Sequence, residues 1–548
     1  MHVEETLVFI LAAVAVVVAL RWISEKTGLP SAALLTVVGI VYANLPGPNI
    51  ELDPKLVLTF VIPPLLYSAA LDSSLIDIRR NLRTVISLSV ALVLATALLV
   101  GVGFALFVAG ATFAAGVALG AAVAPPDPVA ALAVGRRVGL PRNLVTLIQG
   151  EGLLNDATAL TLLSVAVAAQ TGQGFSFPTA VGQFVIAAAG GVLVGVAVTY
   201  GVRLLRRLRA DPLSSNAIAL ATPFVAYLVG ERLHVSGVLA VVVAGLIIGH
   251  DAPRMISGAS RLQTTAVWRF VDFLLEGLVF LLIGQQLPAV MNGLVAYSAG
   301  TIAAGVAISV GVVLLLRPLW LLLTQVLPRS LHTRLGGEAE DDGDDVQTRS
   351  RLREKPLSGP EVTALSWAGT RGVISLAAIF TLPQLFPVRD LLLFCTFVVV
   401  LVTLVGQGVT FAPLVRRLGL RANEADRMRE RNSARAAAVQ AALDRIDEIQ
   451  HERHDAAEDH AIGNVRRQLE QRLGRYRRRL DLLDKSDSDE VPHSPHYEAA
   501  LAIRRAVIDA EREELLRWRD AGRLSDEGLR VLERELDYEE HLIPDRSA

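Results

Sequence analysis

The chain has 548 residues, 52% of them hydrophobic, and a mean hydropathy of +0.47. Its apolar residues come in runs near the roughly 20 residues that a membrane-spanning helix needs, which excludes an ordinary soluble protein. The net charge of −2 hides an asymmetry, because residues 1–420 are apolar with sparse arginines whereas residues 421–548 are densely charged, and the single cysteine, Cys395, excludes a disulfide framework.

Taken in order, the apolar runs predict about thirteen spans, near residues 5–24, 30–46, 54–72, 84–109, 111–135, 142–170, 177–202, 211–230, 235–250, 267–288, 297–324, 359–383 and 388–416. The first reads as a retained helix, since MHVEE supplies no basic n-region and no small-residue cleavage site follows. Alternate loops are basic: Arg21 and Lys26; Arg79, Arg80 and Arg83; Arg136, Arg137 and Arg142; Arg203, Arg206, Arg207 and Arg209; Arg254, Arg261 and Arg269; then Arg329 through Lys355. The intervening loops hold only Lys55, Arg232 and Arg389. The excess of basic residues marks cytoplasmic loops, so the pattern predicts an outside N-terminus and a cytoplasmic C-terminus.

Two spans carry interruptions. In the fifth, Ala124-Pro125-Pro126-Asp127-Pro128 places three prolines in four residues. Proline removes backbone donors and clashes with the preceding turn, so the helix unwinds there. Such backbone survives at membrane depth only where protein or a water-filled cavity surrounds it. The twelfth span holds Gly369-Thr370-Arg371-Gly372, again polar and flexible at mid-depth. These are the fifth members of spans 1–6 and 8–13, which suggests an inverted repeat with interrupted helices at matching places, the arrangement of a secondary-transporter site. The Arg329–Leu357 loop, acidic and then basic, reads as an unstructured cytoplasmic connection. From Arg421 the chain reads as a soluble helical hairpin or bundle with a linker at Lys485–Pro495.

The sixth span contains Gly150-Glu151-Gly152-Leu153-Leu154-Asn155-Asp156. Ionisable groups at bilayer depth are costly and mark function by default. On a helix, Asp156 points about 140° away from Glu151, so the two acids can serve different neighbours. Asp127, Asn155 and Asp156, with carbonyls freed near Pro126 and Pro128, can coordinate a hard monovalent cation, which prefers oxygen ligands. The competing reading is a polar network that only joins helices. Glu151 needs a cation, and Arg317 of the eleventh span is favoured over Arg371, which is left to offset carbonyl ends at the broken helix. Asp272 and Glu276 are i,i+4 in the tenth span and can line a cytoplasmic funnel. No phosphate-binding glycine loop points to an ATP-driven pump, no nucleophile–base set points to an enzyme, and neither a cofactor nor a nucleic-acid partner is expected.

These residues resemble the bacterial sodium/proton exchanger branch of the monovalent cation/proton antiporter 1 family. The resemblance covers residues 5–417 and rests on Ile62-Pro63-Pro64-Leu65-Leu66-Tyr67, Asp127-Pro128-Val129-Ala130, Gly150-Glu151, Leu154-Asn155-Asp156, Arg317 and Gly369-Thr370-Arg371-Gly372, in the expected order. It implies a thirteen-span inverted-repeat fold, crossed broken helices beside the ion site, and a homodimer. It also implies that Asp156 carries the exchanged ion or proton, that Asn155 marks the electroneutral type, and that Glu151 pairs with Arg317. Members often have Thr where Pro126 stands and Ser where Gly152 stands, and some have an acid where Ser68 stands.

The expectation is therefore an all-α polytopic membrane protein with an exchanger domain over residues 1–420 and a cytoplasmic helical tail over 421–548. It would exchange sodium, or potassium, for protons across the plasma membrane by competition of cation and proton for Asp156. A cation channel, or a membrane sensor or scaffold, would use the same polar spans.

Overall fold

The computed structural model describes residues 3–45, 54–171, 177–208, 211–326, 357–421, 424–452, 456–485 and 495–541. The predicted Arg329–Leu357 connection lies almost wholly outside these, as does most of the Lys485–Pro495 linker. All regular structure among the described residues is helical. The chain divides into two compact units, Met1–Ala422 and Asn423–Ala548.

In the first unit the helices are α1 (Val3–Thr27), α2 (Ser31–Tyr42), α3 (Val57–Leu71), α4 (Leu75–Arg80), α5 (Leu82–Phe107), α6 (Phe113–Val123), α7 (Pro128–Val138), α8 (Arg142–Gln170), α9 (Phe177–Leu208), α10 (Pro212–Arg232), α11 (Gly237–Met255), α12 (Gly258–Asn292), α13 (Ala299–Val326), α14 (Gly359–Trp367), α15 (Val373–Phe380) and α16 (Arg389–Arg417). Seven helices among the described residues are long and apolar enough to cross a membrane. The starts follow local capping chemistry. Thr112, Asp211 and Ser236 each accept a backbone N–H from the first turn of α6, α10 and α11, and Ser358 with Glu361 closes a capping box on α14.

The helices do not stop where the apolar runs do. The tenth span was expected over 267–288, yet α12 runs from Gly258 to Asn292 because Ser257 caps it nine residues earlier, its hydroxyl accepting from Ser260 N at 3.3 Å. Likewise α9 continues to Leu208, carrying Arg203, Arg206 and Arg207 on its last turns. Apolarity fixes where a helix can be in lipid; caps fix where it ends.

Small residues bring the helices close, as packing in lipid favours. Gly39 of α2 and Gly284 of α12 face each other, and a Cβ on Gly39 would meet the Leu281 carbonyl oxygen and lie 3.0 Å from the Gly284 Cα. Gly116 of α6 would meet Gly101 Cα of α5 at 2.8 Å. As a result α6 is buried along nearly its whole length. A second apolar core gathers Leu144, Leu147 and Ile148 of α8 with Leu321, Leu365 and Phe411 from α13, α14 and α16. Together these cores fix the two segments that carry the site, the end of α6 and the middle of α8.

The second unit has four helices, α17 (Glu424–Glu452), α18 (Ala456–Lys485), α19 (Pro495–Asp520) and α20 (Asp526–His541). α17 packs on α18 through Val439, Leu443 and Leu473, and α19 on α20 through Ile508 and Leu536. Each is a charged helix pair with a narrow apolar seam, extended by surface pairs such as Arg512 with Asp537 at 2.9 Å and Glu540 at 2.8 Å.

Candidate ion-binding site

The chain leaves helix twice in the middle of the first unit. α6 ends at Val123, and α7 restarts at Pro128 with Asp127 as its cap. α14 ends at Trp367, and α15 restarts at Val373. Pro125 and Pro126 have no N–H to continue α6, whereas Pro128 at a helix start costs nothing, because its missing donor would be unpaired there anyway.

The two interruptions bind each other. Asp127 N donates to Thr370 O at 2.6 Å, and Thr370 Oγ1 donates back to Asp127 O at 3.0 Å. Arg371 lays its guanidinium across the exposed carbonyls at the end of α6, with Nε to Val123 O at 2.9 Å and Nη2 to Ala124 O at 3.2 Å, and it also holds the Gly369 carbonyl. Those carbonyls are the negative end of a helix, which a cation stabilises. Arg371 is 2% exposed, and its backbone N–H donates to Thr403 Oγ1 at 3.0 Å. Thr403 sits in a π-turn of α16, Val402–Gln407, a local widening of the kind common at functional sites.

α8 runs past this crossing. Asn155 is fully buried and donates from Nδ2 to Pro126 O at 3.0 Å; its Oδ1 has no hydrogen-bond partner among the described residues. Asp156, 5% exposed, is the next residue, and the charge that acts on it is the Asp127 carboxylate. Asp127 is half-buried and commits Oδ1 to Val129 N at 2.9 Å. No basic side chain among the described residues acts on either carboxylate. Two acids, an unsatisfied amide oxygen and unwound backbone thus converge without a protein cation. An uncompensated buried charge costs several kcal/mol, which a proton or a bound cation at such a place would relieve.

Glu151 faces elsewhere. It is 1% exposed and forms a two-pronged pair with Arg317, itself 3% exposed: Nη1 to Oε1, and Nη2 to Oε2 at 2.8 Å. Arg317 Nε also donates to Leu365 O at 3.0 Å, tying α13 to α14. Ser89, in a π-turn of α5, donates to the Glu151 carbonyl at 3.2 Å, and Trp320 Nε1 to Ser87 at 3.1 Å. Asp127, Asn155 and Asp156 therefore form one cluster, Glu151 and Arg317 a second, and Arg371 with Pro126 and Pro128 builds the crossing.

The family of proteins described as "Sodium/hydrogen exchanger, transmembrane" matches residues 12–417. The chain belongs to the sodium/hydrogen exchanger family. An uncharacterized Na(+)/H(+) exchanger of Mycobacterium tuberculosis is 32% identical over 544 residues, covering 97% of this chain and 95% of that one. An uncharacterized exchanger of Escherichia coli is 28% identical over 524 residues, 91% of each chain. Among solved structures, the sodium proton antiporter MjNhaP1 of Methanocaldococcus jannaschii at pH 8 superposes with a TM-score of 0.58 at 16% identity, covering 76% of this chain and 99% of that chain. The exchanger thus shares that multi-pass membrane fold.

Three positions set this exchanger apart from the pattern its sequence resembles, and packing explains one of them. A Cβ on Gly152 would meet the Pro128 ring at 2.5 Å, so a serine there would push α8 off the crossing. Pro126 lacks a hydroxyl, but its carbonyl is the acceptor for Asn155. Ser68 donates to Asp272 Oδ1 at 2.7 Å, so the carboxylate near this point of α3 comes from α12. Sequence reasoning had not given Thr370, Thr403 or Ser89 a role. Their signal is weak, since Thr403 is a lone hydroxyl in an apolar run, Ser89 one of two serines in another, and Thr370 is overshadowed by Arg371 beside it.

Gly372 has the least room of the glycines at the crossing, because a Cβ there would run into the Asp127 carboxylate. Gly372→Ala is expected to lower transport in proteoliposomes about tenfold or more, since a misplacement near 1 Å at a reacting group costs on the order of a hundredfold in rate. Gly311→Ala, in open space on α13, leaves transport unchanged.

Proposed function

We propose that this chain is a secondary antiporter that exchanges sodium for protons, one for one, across the plasma membrane, with Asp156 as the shared site. The observation that carries this reading is the buried Asp156 beside Asp127 and the orphaned Asn155 Oδ1, with no basic partner among the described residues. A proton on Asp156 removes the uncompensated charge. A monovalent cation bound by Asp156, Asp127, the Asn155 carbonyl oxygen and freed backbone carbonyls offsets it equally well, because hard cations take oxygen ligands. Both cannot be accommodated favourably, so each expels the other.

Coupling follows if the site opens to one side at a time. Thirteen spans in an inverted repeat, with the two interrupted helices crossing at mid-depth, give this exchange its frame. The alternating basic loops support an outside N-terminus and a cytoplasmic tail over residues 421–548. A homodimer is the assembly we assign. Sodium is the cargo we favour, since the set is rich in carboxylate oxygen; potassium is the other candidate.

The test is dye-reported proton movement in proteoliposomes on adding sodium and then potassium. Sodium should drive proton movement, at a rate that an imposed membrane potential leaves unchanged. Sodium uptake without proton movement would mark a channel and end the antiporter reading. A rate that follows the potential would end the one-for-one assignment.

A further inference from the structure

Away from the crossing, α3, α9, α10, α11 and α12 line an open cavity of about 140 Å³. Arg206 of α9 lines it and is 8% exposed. Its Nε and Nη1 have no hydrogen-bond partner among the described residues. The one other group acting on its charge is the Tyr67 phenol, which is neutral near pH 7. A guanidinium so placed is expensive unless something supplies acceptors, because its five donors and fixed charge cannot be neutralised by losing a proton.

The cavity's own acids do not supply them. Asp272 accepts from Ser68 at 2.7 Å, and neither Asp272 nor Asp72 lies within ion-pair distance of Arg206. Arg261 and Arg269, both exposed, also line the cavity, so three arginines face two aspartates and one positive charge is left over. One phosphodiester monoanion balances it, and a planar guanidinium matches phosphate oxygens bidentately. The rest of the lining suits a headgroup entering from lipid. Leu71 and Ile256 are apolar, and the buried Trp268 ring packs 5.3 Å from Tyr67, an apolar wall that an acyl chain or glycerol can rest on. Arg206 lies on the last turn of α9, in a basic cluster that the charge pattern assigns to the cytoplasmic face, and basic pockets between spans on that face attract anionic headgroups.

We propose that this cavity is a phosphate-group site centred on Arg206, filled by an anionic phospholipid headgroup or by free phosphate. It stands apart from the ion site and does not depend on the transport reading.

The experiment measures the melting temperature of the delipidated full chain in detergent. Short-chain phosphatidylglycerol, inorganic phosphate and short-chain diacylglycerol are each added to wild type, Arg206→Gln and Arg206→Lys. A ligand that binds the folded state raises the melting temperature with concentration. The expected result is a rise for wild type and Arg206→Lys with a phosphate-bearing compound, and none for Arg206→Gln or with diacylglycerol. A rise with phosphatidylglycerol alone makes the source a lipid, a rise with phosphate alone makes it soluble phosphate, and a rise with both means the site takes either. Arg206→Gln should fold, since it removes an unpaired buried charge. No rise in wild type, an equal rise in Arg206→Gln, or an equal rise with diacylglycerol would overturn the proposal.

Discussion

Asp156→Asn is expected to reduce sodium-driven proton movement in proteoliposomes to that of protein-free vesicles. Asparagine matches aspartate in shape but neither binds an exchangeable proton nor carries the charge that draws a cation into a dry site. The loss will not come from misfolding. Asp156 has no basic partner among the described residues, so its removal relieves a buried charge instead of orphaning one. The purified variant should therefore melt at or above the wild-type temperature, and full activity in it would sink the mechanism. Asp127→Asn behaves differently. Asparagine caps helices as well as aspartate does, so α7 keeps its start. What is lost is one anionic ligand, and the sodium concentration for half-maximal exchange should rise.

The second large effect is on stability. Removing one partner of a buried ion pair leaves the other uncompensated, at about 3–5 kcal/mol. Arg317→Met and Glu151→Gln should each lower the unfolding temperature in detergent markedly. The arginine variant should suffer at least as much, because Arg317 also holds the Leu365 carbonyl. The double variant Glu151→Leu with Arg317→Met removes both charges and should recover much of the loss. If the single variants melt like wild type, the pair does not hold α8 to α13. If the double variant is as unstable as the sum of the singles, the effect is not one of unpaired charge.

Much of this arrangement was legible in the residues, and the reason differs from place to place. The prolines at 125, 126 and 128 have no alternative in a helix, so the interruption after Val123 could be read directly. Asp156 and Glu151 stood out as candidates because charge is expensive in lipid, and both are buried. Their separation followed from helical geometry, which points them to different sides of α8. The links between the interruptions were not legible. That Thr370 and Asp127 exchange two hydrogen bonds, and that Arg371 spans to Val123, depends on residues more than 240 positions apart. No local pattern encodes such contacts. The absence of a hydroxyl at Gly152 looked like a lost ligand in the sequence; the Pro128 ring against it makes it a packing requirement. The start of α12 was misjudged because apolar runs report the lipid, whereas the Ser257 cap sets where the helix begins.

In the proposed exchange, sodium and a proton compete for one carboxylate. The most direct measurement adds sodium chloride to the purified, weakly buffered protein and follows released protons with a pH indicator. Release should saturate with sodium, and there should be none with choline chloride and none from Asp156→Asn. Saturable sodium binding with no proton released, or equal release from Asp156→Asn, would contradict it.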